Sequence, residues 1–186
     1  MNYLLQWRII QLFIGKICIM KKNFFEWILY ILLFIWQIPQ NLVGMFMWLW
    51  FKLFGGGVEA IVKNKYSRVF TSKGMRGGIS LGCFAFVDTY YANVKTVIMH
   101  EQGHMWDSKL MGPLYLLIVG LPSILNAQFD FTECYYDFFC EAWANKHAGL
   151  GVDKNCRLYI KDKSKDNVPK KEMDEAAILR KQKPTL

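Results

Sequence analysis

His100, Glu101 and His104 are the residues whose types and spacing bear chemistry in this 186-residue chain. They stand in His100-Glu101-Gln102-Gly103-His104, an HExxH pentapeptide. On a helix, residues four apart share a face, so both imidazoles point the same way and can hold one zinc ion between them. The glutamate between them then lies beside a water on that ion and can take its proton. Residues 94 to 111 contain no Pro, and Val94, Val97, Ile98 and Met105 recur at helical spacing. They predict a helix of about 18 residues around the motif, stopped by Gly112 and Pro113.

A catalytic zinc site usually takes three ligands from the protein and leaves the fourth position to water. Glu141 is the candidate third ligand, on a second helix expected from residue 132 to 148. Asp130 and Glu133 suggest an N-terminal capping box for it, and Gly149 with Gly151 a stop. Asp137, Glu141 and Asn145 form an i, i+4, i+8 stripe along this segment. Asn145, one turn past Glu141, is placed to accept a hydrogen bond from a ligand imidazole and set its tautomer. The small side chains of Ala144 and Ala148 would let the two helices approach closely.

With Glu141-x-x-Ala144-Asn145-x-x-Ala148 following His100-Glu101-x-Gly103-His104, the chain resembles the gluzincin-type zinc metallopeptidases. It is most similar to their membrane-bound branch, the CAAX prenyl endopeptidases and HtpX-like proteases. The resemblance runs over about residues 90 to 150, and the family pattern has Asp where Asn145 stands. That difference keeps an acceptor and removes a charge. The resemblance implies Zn2+ held by His100, His104 and Glu141, Glu101 as catalytic base, and a protein or peptide substrate. The stretch from Gly112-Pro113-Leu114-Tyr115 to Gly120-Leu121-Pro122-Ser123 is also similar to small bacterial membrane proteins bearing HExxH. That second resemblance implies a bacterial inner membrane.

Other residues compete for the metal, each with a plainer role. Asp107, three past His104, reads as a solvated residue near a helix end. Cys134 and Cys140 flank the third ligand but form no CxxC pair, and cysteine is commonly buried. His147 is on a different face from Glu141 and reads as a surface histidine, with a role at an oxyanion as the alternative. Tyr135 and Tyr136 share that alternative.

These residues need elements to position them, and the first is apolar. Residues 24 to 54 carry only Glu26, Gln37, Gln40, Asn41 and Lys52 as strongly polar side chains, and Trp27, Tyr30, Trp36, Trp48 and Trp50 lie along them. As one helix they would reach about 46 Å, more than a hydrocarbon core of roughly 30 Å. One tilted span kinked at Pro39 is the favoured reading, with a re-entrant hairpin, or a buried hairpin in a globular core, as the alternatives. Met20-Lys21-Lys22 before this run suggests a start of its own; residues 1 to 19 are otherwise a short apolar segment on the membrane surface. The apolar run from 114 to 125 is too short for a span and suits a buried or re-entrant segment.

Alternating runs at 58 to 62, 66 to 71 and 79 to 87 predict strands, the last two paired as a hairpin across the turn-rich 72 to 78. Residues 79 to 84 are the candidate edge for an extended peptide. The fold class expected is α+β: an N-terminal membrane-associated helix or helical hairpin, a small antiparallel sheet and a two-helix zincin-like core. The domains are anchor 1 to 54, catalytic domain 55 to 152, and a polar tail 153 to 186 with 10 Lys or Arg and 6 Asp or Glu, including a short helix near 170 to 181.

A net charge of +8 raises nucleic acid as a partner, but the basic residues are scattered through tail, hairpin and membrane flanks. Anionic lipid headgroups account for them instead, and no nucleic acid is expected. Five cysteines without motif spacing favour free thiols in a reducing compartment, hence a catalytic domain facing the cytoplasm. The leading function is a membrane-anchored, zinc-dependent metalloendopeptidase. The alternative is a non-catalytic membrane scaffold with a structural or vestigial metal site. A site-2-type intramembrane protease is disfavoured, because no Asp-Gly ligand motif follows on a later apolar helix.

Overall fold

The computed structural model describes residues 24–55, 57–64, 67–75 and 77–161. The surface segment expected in residues 1 to 19 and the helix expected near 170 to 181 lie outside these. Two units divide the chain, Met1–Ile35 and Trp36–Leu186. Helix α1 (Phe24–Trp36) belongs essentially to the first, with Trp27, Tyr30 and Phe34 in successive ring contacts.

The second unit opens with α2 (Ile38–Leu53), which has Pro39 in its first turn, where a missing N–H costs nothing. The apolar run is therefore two helices divided at Gln37. No single helix among the described residues is long and apolar enough to cross a membrane; α1 with α2, and residues 95–114 with 116–129, qualify only as pairs across a break. The polarity of α2 is inverted. Gln40, Asn41 and Gly44 are buried, while Leu42, Phe46, Leu49, Trp50 and Leu53 are exposed.

Strands β1 (Val58–Asn64), β2 (Ser67–Ser72), β3 (Gly78–Leu81) and β4 (Phe84–Asp88) form a sheet of order β1-β2-β4-β3. It is mixed rather than antiparallel, because β2 and β4 run parallel. The expected strand from 79 to 87 is interrupted at Gly82, whose φ of +68° suits glycine in a tight hairpin turn. A Cβ there would strike Asn41 Oδ1, which accepts the Cys83 N–H at 2.8 Å. The chain reverses after β2 and again at Gly82, so β4 returns in the direction of β2 and β3 is left at the sheet edge. Val69, Ala85 and Val87 from the sheet pack with Tyr91, Val94 and Met105 in the main core.

Helix α3 (Lys95–Met111) falls where the periodicity puts it and ends at Gly112, with φ +53°. The run expected to be buried or re-entrant is helical: a 3-10 turn (Gly112–Leu114), a π turn (Leu116–Gly120) and α4 (Leu121–Phe129). Tyr115 and Val119 are buried, but Leu117, Leu121, Ile124 and Phe129 are exposed. Asp130, with φ +47°, closes α4 instead of opening the next helix, so the Asp130/Glu133 capping box is not formed. After a 3-10 turn (Tyr135–Asp137), α5 spans Phe139–Ala148, seven residues shorter at its start than the expected helix from 132.

The delay has a covalent counterpart. Cys134 is bonded to Cys156, which overturns the expectation that the cysteines are free thiols; Cys83 and Cys140 are free. Cys156 lies in the turn between β5 (Leu150–Val152) and β6 (Leu158–Ile160), which pair antiparallel. Asp153 Oδ1 shapes that turn by accepting the N–H groups of Asn155 (2.9 Å) and Arg157 (2.8 Å). Residues 153 to 161, read from composition as the start of a tail, thus belong to the folded unit.

Candidate metal centre

Two helices carry the centre, and the close approach of their backbones makes it. Gly103 of α3 faces Ala144 of α5, and a Cβ at 103 would collide with the Ala144 carbonyl. The absent side chain lets α3 bring His100 and His104 up to Glu141, in the first turn of α5. The three are 5%, 5% and 0% exposed, so the donor group is formed away from bulk water. One ligand atom from each lies within 4.8 Å of the others, an arrangement able to hold a metal ion.

The two distances from Glu141 are close to those between ligands of a tetrahedral ion. Glu141 Oε2 is 3.0 Å from His100 Nε2 and 3.2 Å from His104 Nε2. Ligand atoms about 2.0–2.1 Å from one tetrahedral zinc are roughly 3.3 Å apart. Two imidazoles and one carboxylate are also a donor set that zinc accepts.

Supporting side chains hold the three donors. Asn145 Oδ1 lies 2.8 Å from His100 Nδ1, so Nδ1 carries the proton and Nε2 faces Glu141. Tyr136 packs edge-on against the His100 ring at 5.3 Å. Ser123 Oγ donates to Glu141 Oε1, and the Cys140 thiol lies 3.6 Å from the same oxygen. A carboxylate this deeply buried costs several kcal/mol unless it is paired. Burial pushes the Glu141 pKa up, but hydrogen bonds from His100 and His104 outweigh it and hold the carboxyl well below its usual range. Burial likewise pushes the His104 imidazolium down, yet Asp107 and Glu141 hold its pKa up at about 10.

Glu101 sits on the opposite flank, against β3. Ser80 Oγ is 2.8 Å from Glu101 Oε2 and 2.8 Å from the Glu101 carbonyl oxygen. A hydroxyl between two such atoms donates to the ionised carboxylate, or accepts from the protonated one while donating to the carbonyl. Tyr115 donates to the Ser80 carbonyl at 2.9 Å and ties β3 to the turn after α3. Opposite Glu101 Oε1 lies Gly78, where any side chain would collide with the carboxylate. Burial raises the Glu101 pKa above its ordinary 4.5, only partly countered by His100, His104 and Ser80.

Asp107 corrects its sequence reading. It is fully buried rather than solvated, with Oδ2 3.3 Å from His104 Nδ1 and Oδ1 2.7 Å from His147 Nδ1. His147 keeps a third of its side chain exposed and is turned to Asp107. Asp137, the first residue of the expected stripe, lies in the 3-10 turn ahead of α5 and outside the donor group. Ser80, Ser123 and Gly78 escaped sequence reasoning, because no local spacing relates them to Glu101 and Glu141, 18 or more positions away. Gly103 was visible inside the motif, but its packing partner was not.

No family model, curated protein or solved structure matches this chain. What the chain itself offers is the His100, His104 and Glu141 group, a possible metal site.

Proposed function

We propose that this chain is a membrane-associated, zinc-dependent metallopeptidase that hydrolyses peptide bonds in a protein or peptide substrate. The observation that carries the reading is the pairing of one buried His-His-Glu donor group with a separate buried carboxylate on the same helix. A closed structural site would need a fourth protein ligand. Among the described residues the group stops at three, with Cys140 at Glu141 Oε1 and His147 held by Asp107.

Zinc bound there would polarise a carbonyl and lower the pKa of a water. His100, His104 and Glu141 are the residues to hold it. Glu101 is the residue to receive a proton, at Oε1, while Oε2 keeps the Ser80 hydroxyl. A carboxylate whose pKa burial has lifted is a stronger base than a solvated one and returns the proton to a leaving amine. The absent side chain of Gly78 is what lets Oε1 sit against β3. β3 is the edge strand that runs past this carboxylate, and its open end at Gly78 and Ile79 is where an extended peptide would begin to pair, Ser80 and Leu81 being buried.

The membrane part rests on α2. A helix in water buries its apolar side, whereas here Gln37, Gln40 and Asn41 face in and Leu42, Phe46, Leu49 and Trp50 face out. Gln40 Nε2 donates to Ser108 Oγ (3.0 Å) and to the Gly112 carbonyl (2.8 Å), and Ser108 Oγ donates to Gln37 Oε1 (2.8 Å). Lipid is the medium that suits such an outer face, and a bacterial inner membrane remains the proposed location. The Cys134–Cys156 disulfide removes the thiol argument for a cytoplasmic face and favours the oxidising side.

The test is zinc content and hydrolysis together, in detergent-purified full-length protein. Wild type should hold about one zinc per chain, lost in His104→Ala and Glu141→Ala, and should cleave members of a peptide library. A well-folded wild type that takes up no metal would reject the reading.

A further inference from the structure

One buried carboxylate, Asp107, joins a histidine of the donor group to the one histidine of the chain outside it. Asp107 lies on α3, one turn beyond His104, and is wholly excluded from solvent. Its Oδ2 faces His104 Nδ1 at 3.3 Å, and its Oδ1 accepts from His147 Nδ1 at 2.7 Å. His147 comes from the last turn of α5 and reaches the surface. Asp107 is thus held between an inner and an outer imidazole.

We propose that Asp107 and His147 are positioning residues for His104. An imidazole that gives Nε2 to a metal must carry its proton on Nδ1, and a carboxylate facing Nδ1 selects that tautomer and fixes the plane of the ring. Asn145 does this for His100. Asp107 does it for His104, and His147 keeps the Asp107 carboxylate turned inward by occupying its other oxygen. The two donor histidines are therefore oriented from different helices: His100 by a neutral amide on α5, His104 by a charged carboxylate on its own helix that is pinned from α5. His104 Nδ1 and Asp107 Oδ2, both buried and without another hydrogen-bond partner, face each other at ion-pair distance, whereas His100 has a shorter hydrogen bond to an amide. This inference rests on the metal-centre reading given above.

Zinc affinity by chelator competition, in the detergent-solubilised full chain, tests it. Asp107→Asn keeps the shape and removes the charge, and should weaken zinc binding by about 10- to 100-fold. His147→Ala should weaken it by a smaller factor, and His147→Gln, which retains a donor, should recover most of that loss. Because His147 acts through Asp107, the double variant Asp107→Asn/His147→Ala should bind zinc no more weakly than Asp107→Asn alone. The Nδ1–H proton resonance of His104 in the zinc-loaded protein should move upfield in Asp107→Asn, a change that a purely structural contact between α3 and α5 would not produce.

A wild type that takes up no zinc overturns this inference and the function together. A wild type that binds zinc while Asp107→Asn binds within threefold of it overturns the positioning role alone. So do additive losses in the double variant.

Discussion

Gly103 and Ala144 lie in backbone contact where α3 crosses α5, and that contact sets the distance between the motif histidines and Glu141. Replacing Gly103 by Ala would gain up to about 1 kcal/mol of helix propensity. Overpacking against a carbonyl that cannot swing aside costs about 1–3 kcal/mol and should win. Gly103→Ala is therefore expected to lower the denaturation midpoint of the metal-free protein and to reduce bound zinc. Unchanged zinc content in that variant would mean that the helices need not approach this closely.

Glu101→Gln should separate binding from turnover. The amide keeps the size of the side chain and its contact with Ser80 but cannot take a proton at Oε1. Zinc content should match wild type, while peptide hydrolysis falls by about 10²- to 10⁴-fold. Ser80→Ala should lower turnover less, by roughly tenfold, since it removes one hydrogen bond to a charged group.

The pH dependence of the metal-free protein follows from His104. Its pKa is raised from 6.5 to about 10 on folding, so its contribution to stability is fully present below about 6.5 and is lost as pH rises toward 10. Glu101, raised above 4.5, also erodes stability as it ionises, whereas the depressed Glu141 contributes above 4.5 and is lost on acidification below it. Thermal melting between pH 7 and 10 should show a falling transition temperature without zinc. With zinc the fall should flatten, because the ion takes over from the imidazolium proton in neutralising the carboxylates. Calorimetry in buffers of different ionisation enthalpy should show proton release on zinc binding near pH 7.

The polar seam under α2 gives a prediction away from the metal. Gln40→Leu makes α2 more apolar and would suit a conventional amphipathic core. Here it takes one of two donors from the Gly112 carbonyl, which keeps the Tyr115 N–H, and one contact from Ser108, at a cost of about 1 kcal/mol for each hydrogen bond lost. Urea denaturation should show the loss.

Cys134 and Cys156 should be found oxidised. Mass spectrometry after thiol blocking should leave both unmodified, and Cys134→Ser should destabilise the fold by about 2–4 kcal/mol. Because this bond holds the segment that carries Tyr136 against His100, zinc affinity should weaken as well.

The sequence by itself determined the parts of this protein that are local. HExxH within an uninterrupted helical period placed His100, Glu101 and His104 on α3 to within one residue, because the 3.6-residue repeat is a property of neighbouring positions. Glu141 and Asn145 share a helix face four apart, so one inference covered both. The tertiary structure decided what depends on chain reversals and on partners distant in sequence. Gly82 turned one expected strand into two and made the sheet mixed, and Asp130 ended a helix that its sequence neighbours suggested it would begin. Asp107 became a buried link because α5 folds over it; Ser80, Ser123 and Gly78 joined the site because the sheet edge and α4 come to rest there. A side chain's burial is set by what packs upon it, and no periodicity along the chain carries that information.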